Sequence, residues 1–360
     1  MSRPKVTFPH MGPYWIGFKA LAQELGCDVV VPPPMSARTL ELGALYSPDF
    51  VCVPFKYNLG NFIEAAELGA DTVIQAIGGC RFGYYAEVQQ AIMEDLGYDV
   101  RFVRIDAGRN VFDFLRDLRA KLVPHASFRQ MKRAFSFAFR KGEAIDAVLL
   151  WVLANIGFER EPGAIERIED RFLRALDEAS TVREVDALLA DTLEELRSVP
   201  LDKPEDPVRI GIVGELYVVM EPFSNLNLER QVARRGVEVH REMTLTTLIK
   251  HAIEGDRHID SLVRRSDGWV RHHLGSHGTE SVTLAHEYAR AGFDGVIHLK
   301  PFGCMPEVNA MAVLQRYARE RELPVLFVSC DTQTAETGVA TRVEAFCDML
   351  AMRRRGVVHA

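Results

Sequence analysis

Thr72-Val73-Ile74-Gln75-Ala76-Ile77-Gly78-Gly79-Cys80-Arg81 is an apolar, β-branched run halted by a glycine pair and a cysteine beside a cation. β-Branched residues favour strands, and glycine marks the turns that end them. A helical pattern over 85–96 follows, and then Val100-Arg101-Phe102-Val103, another β-rich run. Strand, helix, strand in so short a span is the unit of a parallel sheet covered by helices. The preceding chain repeats the alternation. Val6-Thr7-Phe8 reads as a strand, a turn with Pro9, Gly12 and Pro13 leads to a helix over 15–25 that stops at Gly26, and Cys27-Asp28-Val29-Val30-Val31 reads as the next strand. Beyond Pro32-Pro33-Pro34, Phe50-Val51-Cys52-Val53 also reads as β, and a helix over 61–68 separates it from the opening stretch. Residues 1–110 are therefore expected to form one α/β domain that carries Cys52 and Cys80 in loops at strand ends.

Over 111–200 the pattern changes to long segments rich in Ala, Leu, Arg and Glu, interrupted at Pro124 and Glu161-Pro162-Gly163, which reads as an all-helical block. Leu201-Asp202-Lys203-Pro204-Glu205-Asp206-Pro207 is a polar linker, and Val208-Arg209-Ile210-Gly211-Ile212-Val213-Gly214 opens a second α/β unit over 201–360. Its later strands are Val237-Glu238-Val239, Gly295-Val296-Ile297-His298-Leu299 and Val325-Leu326-Phe327-Val328-Ser329, with a final helix over 341–355. The fold class is α/β: two Rossmann-like parallel-sheet domains with an α-helical middle block. Two such halves would leave a cleft between the carboxyl ends of their strands.

Composition narrows the function classes. The chain has 360 residues, 48% hydrophobic and 26% charged, as in an ordinary globular protein rather than a disordered one. A formal charge of -7 gives no basic excess to displace counterions, so no nucleic-acid partner is expected. Arg353-Arg354-Arg355 reads as a solvated helix end. The N-terminus runs directly into a strand rather than a signal peptide's apolar core, and no stretch approaches the roughly 18 apolar residues of a membrane span. The expectation is a cytoplasmic protein without a membrane partner, whose six cysteines stay reduced; none forms a CxxC pair.

Cys52, Cys80 and Cys304 each end an apolar run beside Pro, Gly or a cation, and loops at strand ends are where such folds build sites. Three thiolates from distant segments would suit a soft metal or an iron-sulfur cluster with one position left open. Cys27 and Cys347 read as buried thiols, and Cys330 stays open between the two readings. Lys56 and Arg81 would stabilise thiolates, while Gly78, Gly79 and Gly303 would let backbone N–H groups approach the sulfurs. Tyr84 and Tyr85 could donate a proton or hydrogen bond to a small substrate. Glu215 and Glu307 are candidates for acid–base work, and His10 is the histidine best placed to reach a site. Asp331, Glu336, Arg342 and Glu344 read as a charge network beneath it.

Cys52-Val53-Pro54-Phe55-Lys56 with Gly60, Gly78-Gly79-Cys80-Arg81-Phe82-Gly83-Tyr84, Lys300-Pro301-Phe302-Gly303-Cys304-Met305-Pro306-Glu307, and Asp331 to Gly338 with Thr341 to Phe346 resemble the 2-hydroxyacyl-CoA dehydratase superfamily, in its activase-related or double-cubane-type branch. The resemblance implies an oxygen-sensitive protein whose Cys52, Cys80 and Cys304 hold a 4Fe-4S cluster, single or joined as a double cubane across a homodimer or a heterodimer with a homologous subunit. It implies an ATP-dependent activase as electron donor. The chain has no GxxxxGK[ST] loop with which to hydrolyse ATP itself. The reading is an iron-sulfur protein that reduces or dehydrates a small substrate. The alternatives are a non-catalytic electron carrier or accessory subunit, a zinc-thiolate hydrolase, and a cofactor-free binding protein.

Overall fold

The computed structural model describes residues 3–77, 80–106 and 111–356. The first half runs β1 (Lys5–Thr7), α1 (Trp15–Glu24), β2 (Asp28–Val29), α2 (Ala37–Tyr46), α3 (Val53–Glu67), β3 (Thr72–Ile77), α4 (Tyr85–Asp95) and β4 (Arg101–Asp106). Four helices follow: α5 (Val111–Lys121), α6 (Phe128–Asn155), α7 (Ala164–Glu178) and α8 (Val182–Ser198). The second half comprises β5 (Val208–Gly214), α9 (Leu216–Met220), α10 (Leu228–Ala233), β6 (Val237–His240), α11 (Leu245–Glu254), α12 (Asp256–Arg265), α13 (Gly278–Arg290), β7 (Gly295–Pro301), α14 (Met305–Arg321), β8 (Val325–Cys330) and α15 (Glu336–Arg354).

The two sheets are four-stranded, wholly parallel and identically ordered, β2-β1-β3-β4 and β6-β5-β7-β8. In that order the chain reverses direction across the sheet between β1 and β3, and again between β5 and β7. Connections leaving two such neighbours diverge to opposite sides and open a crevice at their carboxyl ends. The α/β fold with a helical middle is as expected.

One strand is not. Phe50-Val51-Cys52-Val53 forms no strand; the chain turns there and Cys52 caps α3. Pro54 in the first turn explains the difference: its fixed φ and missing N–H suit a helix start and remove a ladder donor. Backbone contact then places the helix. A Cβ on Gly43 would stand 1.8 Å from the Lys56 carbonyl oxygen, and one on Gly60 1.9 Å from that of Thr39, so α2 and α3 cross closely only because both are glycine.

The halves share one core. Tyr14 and Ile16 of the first half, Ile145, Val148 and Val152 of α6, and Ile210, Val239 and Ile297 of the second belong to a single buried cluster. At its edge Asp146 accepts hydrogen bonds from Tyr14 Oη (2.6 Å), Thr244 Oγ1 (2.7 Å) and Thr246 Oγ1. One carboxylate thus ties β1's side of the molecule to the loop after β6. Among the described residues no helix is long and apolar enough to cross a membrane.

Candidate active site

The crevices of the two halves face each other. His10 follows β1, and its Nδ1 lies 2.9 Å from Glu221 Oε2 at the end of α9; the Gly12 amide donates to the same oxygen at 2.6 Å. The Tyr57 ring stacks on Tyr217 at 6.3 Å and meets Phe223 edge-on at 6.0 Å. His10 is therefore buried in the seam between the halves, with its backbone amide on Asn61.

Cys52 and Cys304 occupy equivalent posts. Each is the N-cap of a helix, α3 or α14, and each is followed two residues on by proline: Cys52-Val53-Pro54 and Cys304-Met305-Pro306. A helix N-terminus favours negative charge, which a thiolate carries. Cys80 follows β3 as Cys304 follows β7, and it directly precedes the short 3-10 turn Arg81–Tyr84. The thiols are close enough to feel one another's charge, Cys52 with both Cys80 and Cys304. Burial pushes the Cys52 thiol up to about 12, against the pull of the Tyr85 hydroxyl and the Phe55 amide. Burial likewise raises Cys304, and the Glu215 carboxylate adds to it.

Of the tyrosine pair, Tyr85 is the one at the thiols. Its hydroxyl lies 3.0 Å from Cys52 Sγ, whereas the Tyr84 side chain is 74% exposed. Tyr84 and Tyr85 do share an apolar notch of about 210 Å³ with Pro48, Phe50, Val51, Phe55 and Val88. That notch adjoins Cys52 through Val51 and Tyr85.

Glu215 ends β5 and caps α9, its Oε2 accepting from the Val218 amide at 3.0 Å. It sits among the sulfurs: its charge reaches Cys52, Cys304 and Cys330. Burial raises its pKa, partly opposed by the Val218 and Tyr217 amides and by His277. The backbone before it is specific, since Gly214 has φ +147° and a Cβ there would stand 1.8 Å from the Leu299 oxygen of β7. Glu307, 1% exposed, has one oxygen held by Ser281 Oγ (2.9 Å) and His298 Nε2 (2.8 Å). Its other oxygen, Oε1, has no hydrogen-bond partner among the described residues, and both contacts of Oε2 lie close to the turn that carries Cys304.

Lys56 is half-buried one turn into α3, and Gly303 has φ +77° in the turn before Cys304, a conformation glycine adopts freely. Gly78, Gly79 and the Arg81 side chain lie outside the described residues. Cys330 is buried at the end of β8 and pushed up to about 12 by burial. Cys27 and Cys347 are buried as read. The expected charge network at the last connection does not form: Arg342 reaches the Phe327 carbonyl, Glu344 pairs with Arg235 at 3.2 Å, and Asp331 caps its own loop through the Gln333 amide. Arg342, Glu344 and Asp331 are thus each engaged outside the group, and Glu336 lies in the first turn of α15.

Sequence reasoning missed the partners of these residues. Glu221, Asp146 and His277 gave no local signal, because each meets its contacts across a turn of the fold rather than along the chain. His277 caps α13, and hydrogen bonding and attraction from Glu280 raise its pKa although burial opposes this. Its charge is felt by Glu215.

Paired parallel sheets with thiols, a phenol and carboxylates gathered at facing switch points define a two-half α/β protein with a thiol-lined cleft. The family model for the 2-hydroxyglutaryl-CoA dehydratase D-component matches residues 169–350, half of the chain, and the chain belongs to that family within the 2-hydroxyacyl-CoA dehydratase superfamily. The matched segment includes Glu215, Cys304, Glu307 and Cys330. No curated protein matches the chain.

Proposed function

We propose that this dehydratase-type subunit binds a 4Fe-4S cluster through Cys52, Cys80 and Cys304, receives low-potential electrons from an ATP-dependent activase, and reduces or dehydrates a small substrate such as a 2-hydroxyacyl thioester. The observation that carries this reading is the convergence of three thiols from three separate turns of the fold, within reach of one another's charge. The donor set fits: three sulfurs, two of them at helix N-termini, whose positive ends partly offset the burial that raises both thiols. Once bound, such a cluster supplies an electron and, with three protein ligands, an open iron position.

The chain's own groups supply the rest. Tyr85 Oη is 3.0 Å from Cys52 Sγ, so it would hold that sulfur's orientation and stabilise its charge. Glu215, whose raised pKa favours its protonated form, is the group suited to give a proton to a departing hydroxyl. Glu307 is held by Ser281 and His298 and would keep the Cys304 turn in place. The apolar notch beside Cys52 would exclude water from one side of the site. A second three-thiol subunit, identical or homologous, would be needed for a double cubane.

The test is iron and acid-labile sulfide on protein purified without oxygen, beside its visible spectrum. About four irons and four sulfides per chain, lost in C52S, C80S and C304S, are expected. Zinc bound by these thiols, or no iron after anaerobic reconstitution, would overturn the reading.

A further inference from the structure

A second cluster of ligating side chains lies where α11, α12 and α13 meet. His251 of α11 and His258 of α12 stack with ring centroids 3.5 Å apart and planes inclined by 17°. Glu280 of α13, 4% exposed, stands beside them, its Oε1 3.4 Å from His251 Nδ1 and its Oε2 3.2 Å from His277 Nδ1. One ligating atom from each of His251, His258 and Glu280 lies within 4.8 Å of the others. Two buried nitrogens there have no hydrogen-bond partner: Nδ1 of His251 and Nε2 of His258, the latter on a residue 8% exposed. Native interiors rarely orphan such atoms, and here two are orphaned at one place.

We propose that His251, His258 and Glu280 bind a divalent transition-metal ion, zinc foremost, with a fourth position left to water. Two imidazoles and one carboxylate are an established zinc donor set. With metal–ligand bonds of about 2.0–2.1 Å, neighbouring corners of a tetrahedron stand about 3.3–3.4 Å apart. The 3.4 Å between His251 Nδ1 and Glu280 Oε1 matches that edge, and the stacked rings, whose lone pairs lie in nearly parallel planes, would have to turn apart for both to reach one ion. The outer groups also fit, because metal-binding imidazoles and carboxylates are normally held by a further partner. His258 Nδ1 faces the Glu254 carboxylate at 3.6 Å, and His277 donates to the Glu280 oxygen that points away from His251.

This ion would be separate from any metal on the cysteines, and it would act by position. It would pin three helices together and fix Glu280, hence His277, whose charge reaches Glu215 and Glu307 at the thiol cleft.

Cobalt(II), titrated into the metal-stripped full-length chain, reads the site. In the C52S/C80S/C304S triple variant about one equivalent should bind, with visible bands of a tetrahedral nitrogen–oxygen site and no near-ultraviolet thiolate bands, and zinc should displace it. H251Q and H258Q should each weaken binding at least about 100-fold and E254Q about tenfold. Wild-type chain is titrated in parallel, so the reading survives if the triple variant does not fold. Zinc should raise the melting temperature of the parent but not of H251Q/H258Q. No cobalt bands in either protein, bands of thiolate type alone, or bands unchanged in H251Q/H258Q would overturn the proposal. Iron and sulfide at the cysteines are measured independently, so failure here leaves the cluster reading standing and the reverse also holds.

Discussion

The two halves run their strands in the same order, yet they furnish their crevices differently. The first contributes Cys52 at the N-cap of α3, Cys80 after the six-residue β3, and the Tyr85 phenol at the start of α4. The second contributes Glu215 after β5, Cys304 after β7, Glu307 in the first turn of α14 and His277 at the N-cap of α13, and every residue of β7, which supplies His298 to Glu307, is buried. Soft sulfur ligands need only reach a common point. Buried carboxylates and imidazoles need partners fixed to within a hydrogen bond, and a long, enclosed strand provides them. The difference teaches that one scaffold can line one wall of a crevice with thiols and a phenol and the other with a single such thiol among buried carboxylates and imidazoles.

The strongest way to break the comparison is at the weld. Asp146→Ala removes an acceptor shared by Tyr14 of the first half and Thr244 and Thr246 of the second, and should cost about 3 kcal/mol at roughly 1 kcal/mol per hydrogen bond. Denaturant unfolding should also lose its single cooperative transition. An unshifted single transition would show that the halves are welded elsewhere.

Thiol reactivity sharpens the contrast within the first half. Cys80 is exposed, whereas burial pushes Cys52 up to about 12, leaving it almost wholly protonated at neutral pH. In metal-free protein at about pH 8, iodoacetamide should label Cys80 at least about 100-fold faster than Cys52, because the thiolate is the nucleophile. Peptide mapping with time reads both rates, and comparable rates would remove the distinction.

The smallest effect is alkaline. Burial raises Cys330 to about 12 and Cys27 to about 11 from an ordinary 9.0, so the folded state keeps protons that the unfolded state releases. Each such thiol contributes its full stability below about pH 9, and this is lost as pH rises through the folded value. At about pH 10 the metal-free chain should have lost about 1 kcal/mol per buried thiol. C330S should flatten that limb of the melting-temperature profile; an unchanged limb would show that other groups set it.

The alternation of β-rich and helical patterns was legible because it is local: strands at 72–77, 208–214 and 295–301 announce themselves by β-branched runs and stop at Gly or Pro. Cys80 and Cys304 were legible for the same reason, each following such a run. Cys52 was placed on a strand because Phe50-Val51-Cys52-Val53 is apolar, but Pro54 overrode that pattern and started a helix. The partners were hidden. His10 meets Glu221 across 211 residues, and Tyr14 meets Asp146 across 132, distances that no motif spacing encodes. His251 and His258 looked scattered because Gly255 breaks the chain between their helices, and only the fold stacks their rings.

The 28 residues of α6 make a rod about 42 Å long. It packs against α1 of the first half and β6 of the second, with Asp146 about two-thirds of the way along it. Both walls are thus fastened to one helix. The notch framed by Phe50, Tyr84 and Val88 is lined by residues of the first half alone, and Phe50 and Tyr84 stand exposed at it, so it is a feature of one wall that this helix does not line.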